Sequence, residues 1–168
     1  MRNLCVLWAL AIVSACISSA DQSWVVRQDG VGPVTIGMSV SRLNTILHEK
    51  FEMPEDKDEQ SCFYVSPAKH AHISFMILDG RLARIDVVGT DVPTTEGIRV
   101  GDSEAHALHV YGPRLKVTPH AYTGPEGHYL TMQSKDGRYA IRFETEGGVI
   151  QNFYAGRFNA IQYIEGCQ

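Results

Sequence analysis

Seven histidines raise the first question about chemistry in this chain. His70 and His72 are spaced to share one face of a strand, and His106 and His109 are spaced to share one face of a helix. Each pair would give a metal two ligands, whereas a structural zinc site needs four and a catalytic one three. No cysteine or carboxylate pattern completes either pair, so we predict no metal site and no cofactor.

Carboxylates and histidines are the residues that could catalyse hydrolysis by acid–base chemistry. Asp86 and Glu144 lie on predicted hairpin strands, where a solvated strand face explains an acidic residue without any chemistry. If two or more of Asp86, Glu144, His120 and His128 faced one pocket, they would suit acid–base catalysis. The sequence has no G-x-S-x-G nucleophile motif, P-loop or dinucleotide-binding motif. We therefore predict no catalytic residue and no enzyme, with a small periplasmic hydrolase as the alternative.

The first twenty residues are typical of an export signal. A basic start precedes an apolar run, residues 4–13, that is too short to span a bilayer. Two processing routes stay open. Small residues before Asp21 would allow cleavage there, while the sequence Val-Ser-Ala-Cys ending at Cys16 resembles a lipobox, in which Cys16 becomes the lipidated N-terminus. We predict residues 1–20 as signal peptide, with the lipobox cleavage before Cys16 as the alternative, and both routes predict a periplasmic or secreted protein, with or without a lipid anchor.

Two cysteines remain in the exported part, Cys62 and Cys167. Neither belongs to a CxxC motif, and two such cysteines in an oxidising compartment are expected to form a disulfide. Closing so long a loop would stabilise the fold by about 4–5 kcal/mol on the chain-entropy model.

The charge balance limits the class of partner. Removing residues 1–20 leaves 14 Lys and Arg against 19 Asp and Glu, a net charge of −5. An acidic chain without a basic face is unsuited to nucleic acid or anionic lipid. Of these classes of partner, we therefore expect a protein.

Local patterns predict an α+β fold in which helices pack on an antiparallel meander. Apolar residues follow helical spacing from Val40, with Ser39 or Ser41 as its predicted cap. A shorter helical stretch follows Asp102 and Ser103, which are its candidate caps. Asp79-Gly80 is a strong hairpin signal. Strands are predicted at 24–26, 34–36, 62–65, 73–78, 81–87, 115–117, 128–132, 139–144, 149–154 and 161–165. One sheet face would meet the helices, and the other would meet water or a partner.

The sequence contains two segments that share one pattern. Residues 72–89 (HISFMILDGRLARIDVVG) and 139–156 (YAIRFETEGGVIQNFYAG) both read as strand, acidic-Gly turn, strand and terminal Gly. A shorter pair of similar segments precedes them, Ile36-Gly37-Met38-Ser39 before the first and Val100-Gly101-Asp102-Ser103 before the second. The sequence thus predicts two related helix-plus-meander units, 21–92 and 93–168.

The I-G-M-S helix opening at 36–39, its echo at 100–103 and the Tyr111-Gly112 helix end carry a family resemblance. The pattern resembles the tandem-repeat β-lactamase inhibitory proteins and the small lipoprotein subunit of the outer-membrane β-barrel assembly machine. It also resembles small exported proteins of Gram-negative bacteria. The resemblance implies a tandem α+β fold. It implies neither specific activity, because the inhibitory proteins carry cysteine pairs within each unit and the assembly lipoprotein has a single module.

Aromatic and charged residues on the predicted strands suggest a binding surface. Alternation puts Phe153 and Tyr154 on opposite sheet faces, so one of them is expected to be exposed if that face is open. On strand 81–87 it puts Leu82 with the charged residues and Ala83 toward the core. The predicted contact residues are Arg84, Asp86, Tyr122, Arg142, Phe153 and Tyr154, with the charged ones at the rim.

Together these features predict a non-catalytic exported binding protein. It would inhibit a secreted or envelope enzyme, or serve as an accessory subunit of an envelope complex. The sheet face and the acidic segment at residues 52–60 would contact the partner. The hydrolase alternative places a cleft between the two units, and a purely structural lipoprotein would require Cys16 as the mature N-terminus.

Overall fold

The computed structural model describes residues 24–167, and it places ten strands and two helices there. The elements are β1 Val26–Arg27, β2 Gly30–Val31, β3 Val34–Thr35, α1 Val40–Leu47, β4 Cys62–Val65, β5 Ile73–Leu78, β6 Arg81–Val87, α2 Glu104–Tyr111, β7 Lys116–Pro119, β8 Gly127–Gln133, β9 Tyr139–Glu146 and β10 Val149–Arg157. The predicted α+β class is confirmed. The predicted signal peptide, residues 1–20, and Cys16 lie outside the described residues.

Seven of the strands form one antiparallel sheet in the order β4-β5-β6-β10-β9-β8-β7. Strands β6 and β10 pair near its middle although they come from different halves of the chain. The sheet, and the hydrogen bonding that stabilises it, is therefore continuous from one half into the other.

The helices and the small sheet β1-β2-β3 cover one face of the large sheet, which we call the inner face. Leu43 of α1 and Ala107 of α2 are fully buried in the same apolar cluster as Phe75, Phe143 and Phe153 of the sheet. Burial of such side chains contributes roughly 1.5–3 kcal/mol each, so this cluster is the main source of stability.

The strand pairing β5–β6 follows from its turn. Asp79 and Gly80 have φ values of 51° and 72°, which only a few residue types tolerate and which suit a two-residue hairpin. The two strands occur at the residues that the sequence predicts. The prediction for Leu82 and Ala83 is wrong because the register shifts beside Met76, which leaves Leu82 in the main core and Ala83 on the opposite face.

Each helix begins at one of its two candidate caps, Ser39 for α1 and Ser103 for α2. The Ser39 hydroxyl accepts from the Arg42 N–H, and the Ser103 hydroxyl accepts from the His106 N–H. Helix α1 ends at His48 in a left-handed conformation, with φ of 54°.

Each helix is attached to the start of a long strand by a reciprocal pair of backbone hydrogen bonds. Gly37 donates to Leu82, which donates to Met38. The same geometry recurs in the other half, where Gly101 donates to Ile150 and Ile150 donates to Asp102. Gly37 and Gly101 have φ values of 95° and 91°, a conformation that glycine adopts readily and other residues do not.

The last residues do not form the strand predicted at 161–165. Ala160–Gln162 is a 3₁₀ turn, and residues 158–167, which we call the C-terminal strap, cross the face of the sheet opposite the helices. We call that face the outer face. The predicted disulfide between Cys62 and Cys167 is confirmed, with their Cα atoms 5.3 Å apart.

Candidate functional site

The outer face carries a set of polar side chains that are hydrogen-bonded to one another and to the strap. Alternation along the strands puts them there, since every second residue of β4, β6, β8, β9 and β10 points away from the helices. The set comprises Tyr64, Arg84, Asp86, Tyr129, Thr131, Arg142, Glu144, Asn152 and Tyr154.

Arg84 is at the centre of one network. Only 4% of it is exposed, and both oxygens of Asp86 contact it, at 3.1 Å from Nε and 2.9 Å from Nη2. Its guanidinium also donates to the Tyr64 hydroxyl at 2.8 Å and to the Tyr163 carbonyl at 2.7 Å, and it lies 4.5 Å from the centre of the Tyr154 ring. A charge so well paired can be buried.

Arg142 is at the centre of a second network and is 8% exposed. It donates to the Thr131 hydroxyl, to the Ile161 carbonyl and to the Gln162 side chain, each within 2.9 Å. Arg84 and Arg142 therefore both hold the strap by its polar groups.

Glu144 accepts hydrogen bonds from the Tyr154 hydroxyl at 2.9 Å and from the Asn152 amide at 3.0 Å. Nε2 of His120 lies 3.6 Å from the same carboxylate. Nδ1 of His120 accepts from the backbone N–H groups of Tyr122 and Thr123, which places the ring proton on Nε2, facing Glu144.

These groups surround a depression of about 270 Å³, which we call the polar cleft. It is lined by Tyr64, Arg84, Asp86, Val87, Val88, Glu144, Asn152, Tyr154, Ile164, Glu165 and Gly166. Residues of β6, β9 and β10 form its floor, and residues 164–166 of the strap form one wall. The cleft thus lies where the two halves of the chain meet.

Exposed apolar side chains surround the cleft. A second, shallower depression shares the wall residues 164–166 and adds Tyr122, Gln162 and Tyr163. Tyr122 is 65% exposed, and its hydroxyl donates to the Glu165 carboxylate. The mouth of the cleft therefore combines apolar surface with carboxylates.

Burial raises the pKa of three groups in the cleft. It raises the pKa of the Asp86 carboxyl above its ordinary value of 3.8, against the lowering effect of Arg84 and with a further increase from Glu144. Burial also raises the pKa of the Tyr154 and Tyr64 hydroxyls. Both tyrosines stay neutral at physiological pH, and the Tyr154 hydroxyl donates to Glu144 while the Tyr64 hydroxyl accepts from Arg84.

The structure brings some of the sequence-predicted residues together and separates others. Arg84, Asp86 and Tyr154 meet at the cleft, and Arg142 lies beside it under the strap. The expectation that the charged residues form a rim is wrong for Arg84 and Arg142, because the strap covers both arginines.

Phe153 cannot contact a partner directly. It points to the inner face, where it is fully buried and packs with its ring centre 5.5 Å from that of Phe143. Tyr154 points to the outer face as expected but is also buried, beneath Ile161 of the strap. Neither residue is exposed, contrary to the sequence-based expectation for an open face.

Histidines outside the cleft have separate environments. His70 stacks on Trp24 with a 3.6 Å ring separation, and His72 lies 3.0 Å from Asp91. His128 pairs with Glu104 of α2 on the inner side. Among residues 24–167, no group of three or more His, Cys, Asp and Glu side chains is placed to hold a metal ion.

Sequence reasoning missed three polar side chains of the cleft, Tyr64, Asn152 and Glu165. The sequence around each of them contains no motif that indicates a site, and Glu165 reaches the strands only because the strap crosses the sheet. The Cys62–Cys167 pairing was the available signal, since it places the residues before Cys167 next to β4.

Comparisons with known proteins give no family. No family model matches the chain, and no curated protein matches it. Among solved structures, the crystal structure of the uncharacterized protein yfeY from Escherichia coli is similar at a TM-score of 0.45 and 14% sequence identity. The match covers 79% of this chain and 99% of that one. In the part of the chain described, no helix has the length and apolar character needed to cross a membrane.

Proposed function

We propose that the chain is a non-catalytic binding protein that receives a basic side chain of a protein partner in the polar cleft. Three carboxylates, Asp86, Glu144 and Glu165, line the cleft together with one guanidinium, Arg84. Asp86 neutralises Arg84 through two contacts, so Glu144 and Glu165 leave the cleft negative. A lysine or arginine side chain complements that charge.

The distribution of exposed apolar side chains carries this proposal. Nine large apolar side chains are exposed among residues 24–167, and five of them surround the cleft and its neighbouring depression. These five are Tyr64, Val88, Tyr122, Tyr163 and Ile164. Apolar and aromatic side chains that enclose a polar contact are typical of the centre of a protein interface.

The hydrogen bonding in the cleft favours binding over catalysis. Asp86 is held by Arg84, and Glu144 is held by Tyr154 and Asn152. His120 is fixed as a donor by two backbone N–H groups on its Nδ1 atom. Groups fixed in this way present a constant charge pattern, which suits recognition.

A matched pair of peptides tests the proposal. Acetyl-Leu-Arg-Leu-amide should shift backbone NMR signals around Asp86 and Glu144, whereas the same peptide with neutral citrulline in place of arginine should bind at least tenfold more weakly. Glu165→Gln should weaken binding of the arginine peptide, and Glu146→Gln, an exposed residue on the same strand as Glu144, serves as the control. Equal binding of both peptides would refute the charge-based proposal.

We place the partner in the cell envelope or the medium. A disulfide fits an oxidising compartment, and the periplasm or the exterior is such a compartment. A photo-crosslinking side chain at Val88 should capture a partner in intact cells, and one at Val117, exposed on the edge strand β7, should not. Intact mass of the purified protein decides between a start at Asp21 and an acylated Cys16.

The acidic segment at residues 52–60 is proposed as a second contact for the same partner. Seven of its nine residues are exposed, and they include every charged residue of the segment. Replacing the acidic residues with alanine should reduce capture through the Val88 crosslinker. Undiminished capture would remove this segment from the proposed interface.

A hydrolase is the second candidate, because one observation favours it. Asp86 and Glu144 line the same cleft, and His120 lies beside Glu144. Two of the four residues considered for acid–base catalysis therefore face one pocket. Chromogenic ester and glycoside substrates test this candidate. Turnover that falls at least 100-fold in both Asp86→Asn and Glu144→Gln would favour the enzyme, and turnover that both variants retain would count against it.

We further propose that the two halves of the chain are related units. Gly37-Met38-Ser39 joins the start of β6 as Gly101-Asp102-Ser103 joins the start of β10, each through two backbone hydrogen bonds and a serine cap. The hairpins β5–β6 and β9–β10 occupy corresponding positions on either side of the β6–β10 pair. On this proposal the cleft lies between two copies of one unit.

A further inference from the structure

The C-terminal strap is attached to the sheet in two different ways along its length. Its inner part, residues 160–163, is buried at Ala160 and Ile161 and is held by Arg84 and Arg142. The arginine hydrogen bonds lie within the sheet face and do not involve the disulfide, whereas Ala160 packs in one apolar cluster with both cysteines.

The outer part of the strap, residues 164–167, has other attachments. Ile164 and Glu165 are exposed, and Glu165 accepts a hydrogen bond from Tyr122, itself an exposed loop residue. The covalent bond from Cys167 to Cys62 is the firm attachment of this part. Residues 164–166 are also the strap residues that form the cleft wall.

We propose that the Cys62–Cys167 disulfide controls whether the polar cleft is complete, so that reduction disables the binding site while the sheet stays folded. The proposal rests on the proposed function of the cleft. When the bond is present, the wall supplies Ile164 and the Glu165 carboxylate. When it is absent, the Arg84 and Arg142 contacts keep residues 160–163 in place and the wall detaches.

The switch requires a dithiol reductant. One thiolate of the reductant attacks one sulfur of the Cys62–Cys167 bond, which breaks that bond, releases the other cysteine as a thiolate and leaves a mixed disulfide. The second thiolate of the reductant then attacks the reductant's own sulfur in the mixed disulfide and releases the remaining cysteine as a thiolate. The protein gains two electrons and two protons, and the reductant becomes a disulfide. Both cysteines are partly exposed, which gives such a reductant access.

Backbone NMR relaxation tests the structural half of the proposal. In the oxidised protein, order parameters at residues 160–166 should be near 0.85, typical of rigid backbone, whereas in the reduced protein those at 164–166 should fall below about 0.6. Residues 160–163 and strands β6 and β10 should keep both their order and their chemical shifts. Unchanged order at 164–166, or loss of order across the whole strap, would overturn the proposal.

Peptide binding tests the functional half and separates it from the proposed function. The arginine peptide should bind the reduced protein at least tenfold more weakly than the oxidised protein. Equal binding to both forms refutes the switch. Absence of binding to either form, with residues 164–166 mobile only after reduction, refutes the proposed ligand and supports disulfide control of the wall.

A double variant, Cys62→Ala with Cys167→Ala, reproduces the reduced state without a reductant. It should match the reduced protein in both measurements. If it fails to fold, the wild-type protein is reduced after folding in the presence of a stabilising osmolyte. A sheet that unfolds under those conditions as well contradicts the proposal, which requires the sheet to survive without the bond.

Discussion

At the scale of single residues, the two buried arginines set the architecture of the outer face. Arg84 connects Asp86, Tyr64 and the strap carbonyls, and Arg142 connects β8 to the strap. A buried guanidinium is tolerated when most of its N–H groups have acceptors. Removing the side chain leaves those acceptors buried without a donor.

Arg84→Met should therefore lower the free energy of unfolding by about 3–5 kcal/mol, because the buried Asp86 carboxylate loses its counter-ion. Urea denaturation measures the change. Arg42→Met, at an exposed position of α1, is the control and should change the value by no more than about 0.5 kcal/mol. Equal losses in the two variants would mean that the Arg84 network contributes little.

Asp86 should make stability depend on pH. Since burial raises its pKa in the folded state, the folded protein holds more protons than the unfolded chain above the ordinary value of 3.8. Its contribution to the free energy of unfolding must therefore fall as pH rises from that value through the raised pKa.

Asp86→Asn should remove this part of the pH dependence. Urea denaturation of the variant between pH 4 and 7 should give a less negative slope of free energy against pH than the wild type gives. Glu55→Gln in the exposed acidic segment is the control and should leave the slope unchanged. A wild-type slope retained in Asp86→Asn would show that other groups carry it.

At the scale of elements, local signals predicted some parts well and one part badly. The hairpin 73–87 depends on Asp79-Gly80 and on alternation over adjacent residues, all of which can be read from the sequence. Residues 161–165 of the strap resemble a strand in sequence because Ile161, Tyr163 and Ile164 are residue types that are enriched in strands. Its position depends instead on Cys167 and on two distant arginines, so a local pattern could not predict it.

The sequence did not predict the burial of the cleft residues, for the same reason. Alternation correctly assigned Arg84 and Asp86 to one face, and the sequence proposed both for binding. Their depth is set by the strap, which lies 76 residues further along the chain from Arg84 at the Ala160 contact. A local sequence pattern cannot predict contacts between residues so far apart in the chain.

The helix caps give an element-scale prediction. Ser39→Ala and Ser103→Ala should each lower the free energy of unfolding by about 1 kcal/mol, since each hydroxyl accepts an N–H from the first turn of its helix. Thermal and urea unfolding measure both losses. Aspartate at either position should preserve most of the stability, because its carboxylate can also cap.

The double alanine variant tests whether the two helix attachments are independent. Strands β6 and β10 are antiparallel, so their first residues, near which the two caps lie, are at opposite ends of the pair. The two losses should therefore add to within about 0.5 kcal/mol. A loss much larger than the sum would mean that the helices stabilise each other.

At the scale of the whole molecule, the sheet and the core join the two predicted units. Strand β6 pairs with β10 over residues 84–87 and 153–156, and a single apolar cluster contains Val26 and Leu43 as well as Ala107 and Ile150. Separating the units would expose the edges of both central strands and the apolar surface beneath them. Two halves that share a core in this way are expected to fold as one cooperative body.

The full chain should accordingly unfold in one transition. Trp24 stacks on His70 in the first half, so its fluorescence reports on that half, while far-ultraviolet circular dichroism follows the whole sheet. Both signals should give the same urea midpoint, because loss of either half removes the partner of β6 or of β10.

Fragments provide the complementary measurement. Residues 24–92 and 93–167 expressed separately should each lack dispersed NMR signals, since each would leave the β6–β10 pairing unmade. When mixed under oxidising conditions they should regain the sheet and form the disulfide, because Cys62 and Cys167 lie in different fragments. Two separate unfolding midpoints, or a fragment that folds alone, would show instead that the boundary near residue 92 divides two independent domains.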